Sequence, residues 1–377
     1  MASIRKRKLP SGLCAWVVDF RDQNGGRRNK NFERKRDAES FLDEVKRQVR
    51  SGMFVTDDVS VTVANAAKRH LESAEILALE KGTQSQYEQH TRLYIQPLLG
   101  TVLLTHLGER QVYCFLDDVV EAASASMAKK VLSTLSRIIK SAQKRGYVGR
   151  NIIVDKGISA PRADAFVKRM PEKSELANLL AKSSGLTRVL LMTAMLTGMR
   201  QGELRALTWD DVCFDVNIIR VRKSGRHDGT VKGTKTPKGH RDIPISGELS
   251  RVLKEWKLSS PSGTKNLVFP NGRGNMEGAS NIRNRIFIPA MNRIGLTMTK
   301  PNDDGGDTMS PAFRFHDLRH AAAALFIEQG MSAKRVQELM GHSSVQVTFD
   351  VYGYLFRDPD ADAAAVDQIS RSLTAGI

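Results

Sequence analysis

The sequence predicts a multi-domain protein, mainly α-helical with small β-sheets, and three observations carry that expectation. At 377 residues the chain is longer than one ordinary hydrophobic core serves, so two or three domains are expected. Its texture changes along the way: short alternating apolar segments come first, then helical periodicity, then a mixture of the two. A weakly periodic stretch containing Pro161, KGISAPRADAFVKRM, reads as a linker before the mixed part. The expected segments are 1–56, 57–163 and 164–377.

Charge narrows the class of partner. Lys and Arg number 58 against 41 Asp and Glu, a formal net charge of +17. An excess of that size points to a regular array of negative charge, and nucleic acid is the first candidate. No apolar run is long enough to span a bilayer; VLLMTAML is at most a buried helix. The N-terminal MASIRKRKLP lacks an apolar stretch and a cleavage site, so secretion is not expected. Cys14, Cys114 and Cys213 make neither a disulfide framework nor a zinc pattern, which fits a reducing cytoplasm.

In the first segment CAWVVDF alternates as a strand does, QNGGRR is a turn signal and NKNF starts a return strand. From Lys35 the period becomes helical, with an apolar stripe of Phe41, Leu42 and Val45 that leaves Ala38 out. A small sheet with one helix is expected, too small to be catalytic alone but basic enough to read DNA.

The second segment reads as all helix. SVTVANAAKRHLESAE and GTQSQYEQHTRLYIQPLLG are two helical patches, the latter closed by Pro97 and Gly100. In SMAKKVLSTLSRIIKSAQKRG, residues Ala128, Val131, Leu132, Leu135, Ile138, Ile139 and Ala142 share one face, and Gly146 ends the helix. Lys129, Lys130, Arg137, Lys140, Lys144 and Arg145 lie off that face without acidic partners at helical spacing, an arrangement that favours phosphate contacts.

The third segment mixes helix and strand. LTRVLLMTAMLTG is a buried helix, NIIRVRKS, HRDIPIS and NLVFP are short strands, and the first two flank a long-looped hairpin. MTKPNDDGGDTMSP is expected to be a polar loop.

Four stretches of this segment hold candidate chemistry. In TGMRQGELRALTWDDV, Arg200 follows a buried helix and Glu203 lies one turn on. In GTKTPKGHRDIPI, Lys232, Lys235 and Lys238 compete for any role on the hairpin. In FRFHDLRH, His316 and Arg319 are one turn apart with His320 beside them, a grouping of cations that makes sense if it faces one anion. In ELMGHSSVQVTFDVYGYL, Ser332 caps a helix that Gly341 ends, His342 begins a turn, and Ser344 caps the helix carrying Tyr352. Each stretch is weak alone.

In this order they resemble the motifs of the tyrosine recombinase (phage integrase) family, and the resemblance covers essentially the whole chain. It implies a mixed α+β catalytic domain over 164–377, an all-α core-binding domain over 57–163, and a small β-plus-helix arm-type DNA-binding domain over 1–56. It implies DNA strands cut and rejoined through a 3′-phosphotyrosyl bond, without ATP, metal or other cofactor. Arg200 and Arg319 would clamp the non-bridging oxygens, and Lys235, matched to the KT before the IPI strand, would protonate the leaving 5′ oxygen. His316 would assist proton transfer from the tyrosine, His342 would donate to the phosphate, and Tyr352 would be the nucleophile. Glu203 would orient Arg200. Tyr354 is a rival phenol, but Tyr352 has the family's spacing from His342, which leaves Tyr354 as a packing aromatic.

The implied partners are double-stranded DNA at core and arm attachment sites, a homo-tetramer on two duplexes joined through a C-terminal helix (Ala363, Ala364, Val366, Ile369, Leu373), and, in some systems, a host DNA-bending protein and a directionality factor. The implied location is cytoplasmic and nucleoid-associated. Three other readings compete: a recombinase that resolves chromosome or plasmid dimers, a type IB topoisomerase, and a non-catalytic DNA-binding relative. The extra N-terminal domain argues against the first two, and the filled motif positions argue against the third.

Overall fold

The computed structural model describes residues 3–8, 14–22, 25–162, 169–226, 228–233, 239–261, 263–301, 307–356 and 359–375. The chain divides into two compact units, Met1–Phe166 and Val167–Ile377.

The first unit begins with an antiparallel sheet, β1 (Ser3–Lys8), β2 (Cys14–Arg21) and β3 (Arg27–Phe32), with β2 in the centre. Only β2 shows alternation, and it buries Ala15, Val17, Val18 and Phe20. IRKRK gave no apolar alternation to read, because β1 is an edge whose side chains, apart from half-buried Ile4, are exposed. Basic residues on such edges discourage pairing with another chain. The helix Lys35–Arg50 packs on the sheet through Ala38, Leu42 and Val45. Ala38, left out of the expected stripe, is fully buried, while Phe41 is only partly buried and meets Phe20 edge-on at 5.9 Å.

Helices follow: Val63–Leu71, Ala74–Leu77, Lys81–His90, Gln96–Leu99, Glu109–Ala122, Ala125–Lys144 and Ile152–Asp155. Pro97 does not close its patch. The chain runs through a wide π-turn, Thr91–Ile95, into Gln96–Leu99, and Pro97 lies in that helix's first turn, where a missing N–H is tolerated. The predicted inner face of Ala125–Lys144 is buried throughout, and Gly146 follows it with φ +76°.

In the second unit the helix Gly185–Thr197 is buried over most of its length and anchors the core. Strands β4 (Val212–Cys213), β5 (Ile218–Val221) and β8 (Arg241–Pro244) form one antiparallel sheet, and β6 (Lys223–Gly225) pairs with β7 (Val231–Gly233) in the connection between β5 and β8. Two expectations are corrected here. Among the described residues NLVFP makes only the isolated bridges Thr208↔Leu267 and Pro270↔Met276, and its run of Leu267, Val268 and Phe269 is buried without pairing along a strand. The expected loop MTKPNDDGGDTMSP is instead an antiparallel pair, β9 (Thr297–Pro301) and β10 (Asp307–Pro311), with Met298 opposite Ser310. Its Thr and Met residues suit a strand, and the polar residues are concentrated at 302–306, outside the described residues. Among the described residues no helix is long and apolar enough to cross a membrane.

Candidate active site

Four elements of the second unit build the site: the helix Gln201–Arg205, strand β8, the helix Asp317–Glu328, and the segment joining Ala333–Met340 to Val345–Tyr352. Arg200 is the N-cap residue of the first. Its main-chain N–H donates to Glu203 Oε2 (2.8 Å), Nη1 donates to Glu203 Oε1 (2.9 Å), and Nη2 donates to the Gly341 carbonyl (2.9 Å). Arg200 and Glu203 are thus hydrogen-bonded to each other through both main chain and side chain.

Three successive carbonyls at the end of Ala333–Met340 accept from three different arginines. Leu339 receives Arg241 Nε (2.6 Å), Met340 receives Arg319 Nη2, and Gly341 receives Arg200 Nη2. These carbonyls lack partners inside their own helix and sit at the negative end of its dipole, which suits cationic donors. Gly341 ends the helix with φ +63°, and an added Cβ would lie 3.0 Å from Arg241 Nη1. Glycine is therefore required there twice over, for backbone and for space. Arg319, 4% exposed, also donates to the Gly198 carbonyl (2.6 Å). Burial pushes its guanidinium down to about 9, with Arg200 and Arg241 adding to the shift, and it stays cationic at neutral pH.

Arg241 carries no expectation from the sequence. It is buried and makes a two-point pair with Glu203. The available signal was its phase: Arg241 alternates in register with buried Ile243 along β8. Burial alone raises the Glu203 carboxyl, but hydrogen bonds from Arg241 and the charges of Arg241 and Arg200 outweigh it and bring it to about 2.

His316 is the N-cap residue of Asp317–Glu328 and His342 follows Gly341. Desolvation and neighbouring cations hold both imidazoles down to about 4, His320 and Arg319 acting on His316, and Arg319 and Arg200 on His342. His316 reaches the surface and makes no hydrogen bond among the described residues, meeting the His320 ring edge-on at 5.3 Å. His342 Nδ1 is shared with Thr348 Oγ1 (2.9 Å), which leaves Nε2 without a protein partner among the described residues.

Tyr352 ends the helix Val345–Tyr352 and is 2% exposed, packed with Ala323, Ile327, Val336 and Met340. Its ring stacks on His342 (6.3 Å, 14°), and its hydroxyl is 2.6 Å from His320 Nδ1. Burial raises the phenol to about 12 despite Arg319, which acts to lower it. The expected packing role for Tyr354 is corrected: it is 59% exposed, because the chain leaves the helix into the turn Gly353–Phe356 and turns this phenol to solvent. His320 is expected from the sequence only as a neighbour of His316 and Arg319; its place four residues after His316, on the same helix face, is the signal that points to it.

Lys235 and Lys238 lie outside the described residues, whereas Lys232 is exposed on β7. The β6–β7 pair is held near Arg200 by a close approach: a Cβ on Gly202 would come 2.6 Å from Ser224 Oγ and 2.9 Å from the Gly225 carbonyl. In the first unit Lys129, Lys130, Arg137, Lys140 and Lys144 are exposed on Ala125–Lys144, and Lys144 pairs with Glu75 (2.8 Å).

Residues 169–356 match the phage integrase family. Over 94% of both chains, the protein is 26% identical to a "Tyrosine recombinase XerC-like" protein of Caldanaerobacter subterraneus subsp. tengcongensis. Its fold is similar to that of the Tn1549 transposon integrase in complex with a circular intermediate DNA, with TM-score 0.67, 18% identity, and coverage of 82% of this chain and 100% of that one. It is also similar to a lambda integrase tetramer bound to a Holliday junction, with TM-score 0.59, 20% identity, and coverage of 90% and 95%.

Proposed function

Because the chain belongs to the phage integrase family and is a tyrosine-type site-specific recombinase, we propose that Tyr352 is its nucleophile and that Arg200, Arg319 and His342 bind the phosphate it attacks. The observation that carries this assignment is the run of carbonyls at Leu339, Met340 and Gly341. It ties the two arginines to the segment that holds His342 and leads to Tyr352. Guanidinium groups already fixed by carbonyl and carboxylate partners lose little freedom on meeting a phosphate, and their planar donors fit its non-bridging oxygens. Their effect is largest on charge that develops as phosphorus becomes five-coordinate. His342 donates through Nε2. Lys235 protonates the leaving 5′ oxygen, and His316, whose ring meets that of His320, assists proton movement at the tyrosine through that neighbour.

The reading extends to the whole protein as an integrating and excising enzyme of a phage or other mobile element. Residues 1–56 bind arm-type sites and 57–163 bind core sites, with Lys129, Lys130, Arg137, Lys140 and Lys144 on phosphates. Four protomers act on two duplexes, aided in some settings by a DNA-bending protein and a directionality factor. The tail helix Pro359–Thr374 exposes Val366, Ile369 and Leu373, which supports its docking on a neighbouring protomer.

The test uses nicked duplexes tiled from the DNA flanking the gene, incubated with full-length protein in chelator and run on a denaturing gel. A covalent protein–DNA adduct is expected. Specific binding to one duplex with no adduct on any of its nicked forms overturns the assignment.

A further inference from the structure

We infer that His320 is the group that accepts the proton of the Tyr352 hydroxyl as that oxygen attacks phosphorus; this deepens the recombinase reading above and rests on it. The contact is direct. His320 Nδ1 lies 2.6 Å from the hydroxyl oxygen, and the two rings are 5.8 Å apart. Among the described residues no other histidine is hydrogen-bonded to that oxygen: His316 meets the edge of the His320 ring, and the Nδ1 of His342 is engaged with Thr348. The tautomer that accepts at Nδ1 keeps its own proton on Nε2.

The surroundings make an acceptor in contact necessary. Tyr352 is 2% exposed, so bulk water has little access to its hydroxyl, and burial holds the phenol at about 12. Free phenolate is then scarce at neutral pH, and the proton must leave as the new bond forms. In the step proposed, the bond between Tyr352 Oη and phosphorus forms and the bond between phosphorus and the 5′ oxygen breaks. The phenol proton passes to His320 Nδ1, and the departing oxygen takes a proton from the acid assigned to Lys235. Rejoining reverses both transfers, with His320 returning its proton to the phenol.

The groups around His320 suit this exchange. Asp317, at the start of the same helix, is raised by burial but drawn below its ordinary value by Arg314 and, to a smaller extent, by His320, and its carboxylate stabilises the imidazolium that forms. His316, Arg319 and His342 lie close by, as does Tyr354 on the turn Gly353–Phe356 packed against this helix, and both of those histidines are held at about 4 and so are neutral at neutral pH. The helix Gly185–Thr197 packed on this one has Arg188 as its one titratable residue, and on Ala333–Met340 the residues Lys334, Arg335 and Glu338 pair with one another on its exposed side.

The test measures single-turnover adduct formation on the nicked duplex that wild type cleaves, for wild type, His320→Gln, His320→Ala and His316→Gln. Gel shift reports DNA binding and circular dichroism reports folding. Both His320 variants are expected to bind DNA as wild type does and to cleave about 100-fold or more slowly, the usual worth of a positioned base. The wild-type rate is expected to rise with pH as a base in contact with the phenol loses its proton, to keep that rise at a lower overall rate in His316→Gln, and to lose it in both His320 variants. Added imidazole is expected to restore cleavage in His320→Ala; should that variant not fold, the Gln variant decides through its rate and pH profile. Cleavage within a few-fold of wild type, or slow cleavage that keeps the pH dependence and ignores imidazole, overturns the proposal. If wild type forms no adduct, the recombinase assignment fails first and this inference falls with it.

Discussion

Arg241 and Glu203 form a two-point ion pair, Nη2 to Oε2 at 2.7 Å and Nη1 to Oε1 at 3.1 Å, between side chains only 5% and 3% exposed. Each partner is tied to a different part of the site. Glu203 also holds Arg200, and Arg241 also holds the Leu339 carbonyl. The pair therefore joins the strand that follows the β6–β7 hairpin to the helix end on which Arg319 and His342 depend.

Breaking this pair from one side is expected to leave a buried charge short of its main partner. Arg241→Met and Glu203→Gln should each destabilise the protein by about 3–5 kcal/mol. Urea unfolding followed by tryptophan fluorescence measures this, and Arg241→Met combined with Glu203→Leu should recover a large part of the loss.

Acid should weaken the fold in two steps. His316 and His342 are depressed to about 4, so the unfolded chain takes up protons first as pH falls below the ordinary imidazole value of about 6.5, and stability drops from there down to about 4. His70 and His90, both held down chiefly by burial, act in the same direction. Glu203 works lower: its carboxyl is at about 2 in the folded state, so the stability it supplies is present above the unfolded value of about 4.3 and is lost as pH falls towards 2. At roughly 1.4 kcal/mol per pH unit, Glu203 accounts for about 3 kcal/mol. Chemical denaturation at a series of pH values checks both windows.

Gly202→Val should displace the β6–β7 hairpin, since even a Cβ there would lie 2.9 Å from the Gly225 carbonyl. Cleavage is expected to fall at least about 10-fold, in keeping with the cost of misplacing reacting groups, while DNA binding stays within a few-fold of wild type. Single-turnover cleavage and gel shift, run side by side, separate the two effects.

Arg200→Lys keeps the charge but removes the planar fork that reaches both Glu203 and the Gly341 carbonyl. Adduct formation should fall about 100-fold or more, the usual cost of losing one positioned donor to a developing charge, with DNA affinity nearly unchanged. A parallel loss of affinity would instead place Arg200 in ground-state binding.

Much of the site was legible because its motifs are local and ordered: Arg200 with Glu203, His316 with Arg319, and Gly341 with His342 each fall within one or two turns of chain. What escaped was whatever depended on distant segments meeting. Arg241 looked like one basic residue in a basic turn, and only its phase with Ile243 hinted that it was buried. His320 gained meaning when a helix that follows in sequence placed Tyr352 against it. The two tyrosines reversed the usual expectation, the proposed nucleophile being the buried one and its rival the exposed one. The fold followed the same rule. Strands with alternation were legible, whereas charged β1 and the β9–β10 pair drew on partners rather than on their own apolar pattern.

The most direct test of the central assignment is to isolate the DNA-linked peptide from the wild-type adduct and map the attached residue by mass spectrometry, alongside Tyr352→Phe and Tyr354→Phe. Attachment at Tyr352, an adduct absent in Tyr352→Phe and undiminished in Tyr354→Phe, is the predicted result. Attachment at Tyr354, or an adduct that survives Tyr352→Phe, would contradict it.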